Sequence, residues 1–168
     1  MSKIKILAFY KFSSFDALSE LRTLVLASCE SNILVGSVLI SNEGLNGTVA
    51  GSEKNIDAVL EFFQNLPGCK DLEYKFSFAS KRPFSKLRVR LKKEIVTMGR
   101  PEVKPSQLVG HYIDAKDWNS FIKQKDVVLI DTRNDYEVAI GTFDGSVNPN
   151  TRRFRDFPDW WARNSERY

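Results

Sequence analysis

The chain has 168 residues, a formal net charge of +4, 42% hydrophobic and 27% charged residues, which suits one domain of ordinary size or two small ones and excludes a disordered or fibrous protein. No apolar run is long enough to span a bilayer, and Met1-Ser2-Lys3-Ile4-Lys5-Ile6-Leu7 alternates polar with apolar residues instead of forming a secretory leader, so a cytoplasmic protein with no membrane partner is expected. Two cysteines and one histidine make no disulfide framework and argue against a zinc site.

Along the chain, Ile4–Phe12 reads as a strand with Ile4, Ile6, Ala8, Tyr10 and Phe12 on one face. Ser14 or Asp16 is placed to cap a helix in which Leu18, Leu21, Leu24 or Val25, and Ser28 or Cys29 recur at helical spacing. Residues 34–40 form a mostly apolar, central strand. Ser41-Asn42-Glu43-Gly44-Leu45-Asn46-Gly47 is rich in turn formers and predicts a loop before a short strand at 48–50. Ser52 caps a second helix with the stripe Ile56, Val59, Leu60, Phe62 and Phe63, which Pro67-Gly68 stops. Residues 72–78 alternate as a strand through Leu72, Tyr74, Phe76 and Phe78. The order strand-helix-strand-strand-helix-strand predicts an α+β, ferredoxin-like (split βαβ) domain over 1–98.

A further strand follows at 86–92, with Leu87, Val89 and Leu91 on one face and Lys86, Arg88, Arg90 and Lys92 on the other. Gly99, Arg100, Pro101 and Pro105 mark a connector over 99–112. Asp114 opens a short helix with Trp118, Phe121 and Ile122, and the apolar run 127–130 predicts a strand buried on both faces of a parallel sheet. Asn134 or Asp135 caps another helix, and Phe157-Pro158-Asp159-Trp160-Trp161 begins the last.

Three groups of residues could carry chemistry. Lys81, Arg82, Lys86, Arg88, Arg90, Lys92 and Lys93 fall in one window with no acid before Glu94. Four of them recur along one strand face about 6–7 Å apart, a spacing suited to a phosphate backbone. The same row also suits a solvated face or a charge-protected edge. Phe76, Phe78 and Phe84 lie nearby for stacking on unpaired bases if exposed. In the second group, 43–48, Glu43, Asn46 and Thr48 offer polar contacts between two glycines; a bulged connection explains the same residues. In the third, Asp131 and Arg133 sit at the end of a predicted parallel strand, and an Arg133–Glu137 pair would fix the turn after it. Cys29 is expected in the core and Cys69 on the surface, neither as a nucleophile. His111 is expected to be a hydrogen-bonded linker residue, and Trp118, Trp160 and Trp161 to be packing residues. Arg152, Arg153 and Arg155 either extend a phosphate-binding surface or are solvated.

Glu43-Gly44-Leu45-Asn46-Gly47-Thr48, Pro83-Phe84-Ser85-Lys86-Leu87-Arg88-Val89 with Glu94-Ile95-Val96, Asp131-Thr132-Arg133-Asn134 and Phe154-Arg155-Asp156-Phe157-Pro158 occur in this order. They resemble the rhodanese-containing tRNA uridine 5-hydroxylation family (the TrhO type). The run from Val127 through Gly141-Thr142-Phe143-Asp144-Gly145 likewise resembles the opening of a rhodanese domain. The resemblance implies that the ferredoxin-like domain is followed, over 113–168, by the first part of an α/β rhodanese domain. It also implies oxygen-dependent 5-hydroxylation of the wobble uridine, with molecular oxygen as cosubstrate and no other cofactor evident. The family's essential cysteine falls downstream of Tyr168, so no catalytic residue is assigned in this chain. The best candidates for contacts to the tRNA anticodon arm are then Glu43, Asn46, Lys81, Arg82, Lys86, Arg88 and Arg90, with Asp131, Arg133 and Glu137 as rhodanese scaffold. Two other functions fit the residues: a non-catalytic RNA-binding module, and a rhodanese-type sulfurtransferase, the latter on fold analogy alone. Without the central strand of a rhodanese sheet, residues beyond about 105 are expected to be marginally ordered or held by a homodimeric or strand-exchanged partner.

Overall fold

In β1 (Ile4–Phe12) alternate residues point at the same layer of helices. Lys5, Leu7 and Phe9 are buried, whereas Ile4, Ile6 and Tyr10 are half-buried and Ala8 is exposed. The inward face is therefore the one opposite to that read from the sequence. Both faces of β1 are apolar enough to read as core, and the helices cover the one that carries Leu7 and Phe9. The lysine on that face is neutralised where it stands: Lys5 Nζ lies 2.5 Å from Asp57 Oδ1, 3.9 Å from Glu53 Oε1 and 4.1 Å from the centre of the Phe76 ring.

β1 is followed by α1 (Leu18–Ser31), β2 (Val35–Ser41), β3 (Gly44–Gly51), α2 (Glu53–Gln64), β4 (Glu73–Ala79) and β5 (Leu87–Leu91). The sheet order is β4-β1-β3-β2-β5, antiparallel throughout except for the parallel β2–β5 pair. Its first four strands have the expected ferredoxin-like arrangement, and β5 is added at the β2 edge. α1 presents Leu21, Val25 and Cys29, and α2 presents Ile56, Val59, Leu60 and Phe63, to Leu7, Phe9, Val38, Ile40, Leu45, Val49 and Val89 of the sheet. Ser52 caps α2 through Asn55 N–H, as expected. Neither Ser14 nor Asp16 caps α1; it begins after Ala17 without a side-chain cap. Cys69 is fully buried, not exposed, because the turn after Pro67 folds its thiol back onto the Pro67 carbonyl and into the core.

Residues 3–100, 103 and 110–168 are described by the computed structural model, and the chain divides into two units, Met1–Ile95 and Val96–Tyr168. Pro101 and Pro105 of the expected connector lie outside the described residues. The second unit contains α3 (Ala115–Phe121), α4 (Asp135–Ile140) and α5 (Phe157–Asn164). Asn134 and Glu137 form a capping box at the start of α4. Residues 127–130 do not form the buried strand expected of them. A single parallel bridge joins Ile130 to Val147, and Val128 is 43% exposed. With one bridge and no strand on the other side among the described residues, the run lacks the neighbours that a doubly covered parallel strand requires.

Phe63 is fully buried and its ring centre lies 4.4 Å from that of Phe9. Phe63→Ala should cost about 3–5 kcal/mol in a urea titration of the first unit, the range for an unfilled aromatic site. A loss below about 1 kcal/mol would show that this core collapses around the gap.

Candidate nucleic-acid interface

The cationic strand takes its geometry from its neighbour. Gly36 pairs with Leu87, Val38 with Val89 and Ile40 with Leu91, so these apolar residues of β5 share the helix-covered face. Ser37 pairs with Arg88 and Leu39 with Arg90, which puts both arginines on the opposite face. Backbone bonds from Gly36 N–H to the Lys86 carbonyl and from Lys92 N–H to the Ile40 carbonyl extend the ladder at both ends. The alternation therefore runs from Lys86 to Lys92. Arg22 of α1 donates Nε–H to the Val89 carbonyl at 3.0 Å and ties the strand to the helix layer.

Lys81, Arg82, Lys86, Arg88, Arg90, Lys92 and Lys93 are all exposed. Among the described residues none of them is in an ion pair; the bridges of the first unit engage only Lys5 and Lys11. Lys81 and Arg82 lie between β4 and β5, which occupy opposite edges of the sheet.

The glycine-rich stretch is not a loop. Only Asn42 and Glu43 form the turn, and β3 starts at Gly44. Glu43 is committed to structure: its backbone carbonyl accepts from Ser13 N–H, and its carboxylate accepts from Ile95 N–H at 2.6 Å. Ser41 Oγ, buried beneath the turn, accepts from Glu43 N–H. Asn46 and Thr48 point to the same sheet face as Arg88 and Arg90, because Leu39 pairs with both Asn46 and Arg90, and Ser37 with both Thr48 and Arg88. The structure therefore brings Asn46 together with the arginines and turns Glu43 to another task.

Phe76 and Phe78, two of the three aromatic residues named with the cations, fall on the other side. Phe76 pairs with Leu7 and Phe78 with Lys5, so both share the helix-covered face while remaining 40% and 56% exposed at the β4 edge. They do not share a surface with Arg88 and Arg90.

In the second unit Arg133 pairs with Asp131 and not with Glu137. Its Nε and a terminal nitrogen reach the two Asp131 oxygens at 2.9 and 2.6 Å, and it also donates to the Gly141 carbonyl. Thr142 Oγ donates to Asp131 at 2.7 Å. Glu137 is held instead by Asn134, in the capping box. The Arg133 and Thr142 hydrogen bonds hold the Asp131 carboxyl well below the usual carboxylate range. Burial pushes the Cys29 thiol up to about 12 and also raises Cys69, which keeps both thiols protonated and unreactive. His111 is exposed and makes no hydrogen bond among the described residues. Trp118 packs on Phe143, and Trp160 and Trp161 stack with Phe157 and Tyr168. Arg153 reaches Asp156 at 3.4 Å; Arg152 and Arg155 are exposed.

A family model described as the UPF0176 acylphosphatase like domain matches residues 4–95. Three relatives are each named tRNA uridine(34) hydroxylase. One from Gluconobacter oxydans (strain 621H) is 49% identical over 95% of this chain and 51% of its own length. One from Ruegeria pomeroyi (strain ATCC 700808 / DSM 15171 / DSS-3) is 52% identical over 97% of this chain and 54% of its own. One from Picosynechococcus sp. (strain ATCC 27264 / PCC 7002 / PR-6) is 47% identical over 98% of this chain and 55% of its own. The chain spans about half the length of the curated relatives it matches. No helix among the described residues is long and apolar enough to cross a membrane.

Two measurements test this geometry. Glu43→Ala leaves the Ile95 N–H without its charged acceptor and should destabilise the first unit by about 1–3 kcal/mol in urea; a variant of unchanged stability would free Glu43 for a ligand role. The Asp131 carboxyl should stay ionised through pH about 3.9, where an unfolded aspartate titrates. Because its folded value is the lower one, its stabilisation is present above that pH and is lost as pH falls through the folded value. A carboxyl carbon NMR titration should show no Asp131 midpoint between pH 5 and 3, and a midpoint inside that window would remove the Arg133 clamp from the description.

Proposed function

The chain belongs to the UPF0176 family, and from that premise we propose that its first unit grips tRNA for a protein that hydroxylates the wobble uridine at carbon 5. The relatives' shared name supports the reaction and the substrate. The observation that carries the reading is the set of exposed cations from Lys81 to Lys93, unpaired among the described residues, of which Arg88 and Arg90 are fixed in register on one sheet face. Such a row neutralises successive phosphates and releases their counterions, which gives affinity without sequence readout. Asn46 lies on the same face and offers an amide to the anticodon arm, the part of tRNA that carries uridine 34.

In this reading the tRNA-binding domain comprises residues 1–98, a connector 99–112, and the opening of an α/β rhodanese domain 113–168. Asp131, Arg133 and Glu137 are scaffold there: the first two clamp a turn and the third caps α4. The reactive thiol belongs to the rhodanese loop, which the resemblance places after residue 168. Molecular oxygen is the cosubstrate, and the protein works in the cytoplasm, with a homodimer or strand exchange formed through the second unit. Both thiols present here are buried and protonated, which leaves this chain the substrate-binding role.

Replacing Arg88 and Arg90 with Glu should weaken binding of the chain to tRNA by more than tenfold near physiological salt. It should also flatten the dependence of log K on log salt by about 0.7–0.9 for each phosphate that is no longer neutralised. Unchanged affinity and slope in a filter-binding titration would reject the cationic strand as the grip.

A further inference from the structure

We propose that the sheet face turned away from the helices holds one unpaired nucleobase of the bound RNA in a pocket floored by Ala8 and Thr48 and walled by Tyr10, Asn46 and Glu73. The inference rests on the RNA reading above and adds a site that takes a base where the cationic strand takes phosphates.

The pocket follows from register. Ala8 pairs with Thr48 on one side and Lys75 on the other, and Tyr10 pairs with Asn46 and Glu73. The small side chains of Ala8 and Thr48 thus lie beside the larger ones of Tyr10, Asn46 and Glu73, and the step between them opens a depression of about 510 Å³, lined also by Phe9, Gly47, Leu72 and Tyr74. That volume lies in the ordinary range for a small-molecule site, about 300–1,000 Å³. A flat aromatic base with its ribose is of a size to enter it.

Its chemistry suits a base edge. The Tyr10 hydroxyl donates to Glu73 Oε2 at 2.5 Å, and Phe12 meets the Tyr10 ring edge-on at 6.4 Å. The ring is thereby held as a wall against which a base can stack. Among the described residues, neither the Asn46 amide nor the Thr48 hydroxyl has a hydrogen-bond partner, although both are half-buried. An amide and a hydroxyl supply donors and acceptors together, which the edge of an unpaired base requires.

Charge selects RNA over an apolar ligand or a peptide. The floor row continues from Thr48 through Ser37 to Arg88, and the wall row from Asn46 through Leu39 to Arg90. From β1 to β5 is three strand spacings, about 14 Å. A single strand with one base in the pocket would cross the same face with its next phosphates at the two arginines. Lys75 stands at the other side of the floor.

The test uses the 168-residue chain and a synthetic anticodon stem-loop RNA, together with a series in which the loop bases are removed one at a time. Ala8 is exposed, so Ala8→Phe fills the pocket without entering the core. One abasic position should weaken binding to the native chain by about tenfold, the scale of one stacked base. Ala8→Phe should weaken the intact RNA by a similar factor, the two losses should not add, and the salt slope should be unchanged. If Ala8→Phe melts below the native chain, Asn46→Ala combined with Thr48→Val carries the same cycle. A flat abasic series, or pocket variants that bind intact RNA normally, overturns the pocket; if Arg88→Glu with Arg90→Glu still loses affinity, the RNA reading survives it. No binding of any of these RNAs by the native chain overturns both.

Discussion

The parallel ladder between β2 and β5 is the constraint on which the cationic sheet face depends. β5 is short and lies at a sheet edge with arginines at alternate positions. Like charges about 6–7 Å apart in water repel by roughly 0.6 kcal/mol per neighbouring pair. That is small enough for the backbone bonds to β2, the buried Val89 and the Arg22 bond to the Val89 carbonyl to outweigh it. The cations are therefore held apart at fixed spacing by the ladder and the core rather than by acidic partners, and their own charge stays available to a ligand. Glu43 completes the arrangement by holding Ile95, so that the chain leaving β5 is anchored to the β2–β3 turn.

A sheet covered by helices on one side imposes the second condition. Each strand has one set of side chains committed to the core and one set with no such obligation. Leu7, Phe9, Leu45, Val49, Val38 and Val89 belong to the first set. Ala8, Tyr10, Thr48, Asn46, Arg88 and Arg90 belong to the second, and register alone collects them on one face. The exposed aromatic edge of β4 is thereby separated from the cations: Phe76 is on the core side, where it meets Lys5. Among the strand residues of this face the aromatic side chains come from β1, and Tyr10 is the one that the β1–β3 register sets beside Asn46.

Much of this was legible in the sequence, and where it was not the reasons are physical. The strand order and the cation alternation follow from period two in β5 and period 3.6 in α2. Period does not say which face is inside when both are apolar, and that misplaced Ile4, Ile6 and Tyr10. The same weakness affects 127–130: an apolar run states a preference for burial, but burial depends on neighbours, and a single bridge to Val147 supplies too few. The partner of Arg133 was misjudged because Asp131, two residues back across a turn, closes a bidentate pair that a helical i,i+4 pairing to Glu137 cannot match in geometry.

The Gly44-Leu45-Asn46-Gly47 stretch shows how a composition signal can point to the wrong element. Glycines there read as a loop, yet both lie within β3. Gly44 has φ +147° and stands so close to Lys11 that a side chain would meet its carbonyl oxygen. Gly47 pairs with Phe9, and a Cβ there would lie 2.7 Å from the Phe9 ring. The glycine is thus required by a strand that an aromatic ring crosses, the arrangement by which a neighbouring ring covers a bare strand position. Between these two glycines the backbone is fixed from beneath, and Asn46, flanked by buried Leu45 and by Gly47, has only the outer face to occupy. The motif is a rigid mount that turns one amide toward the sheet face bearing the arginines.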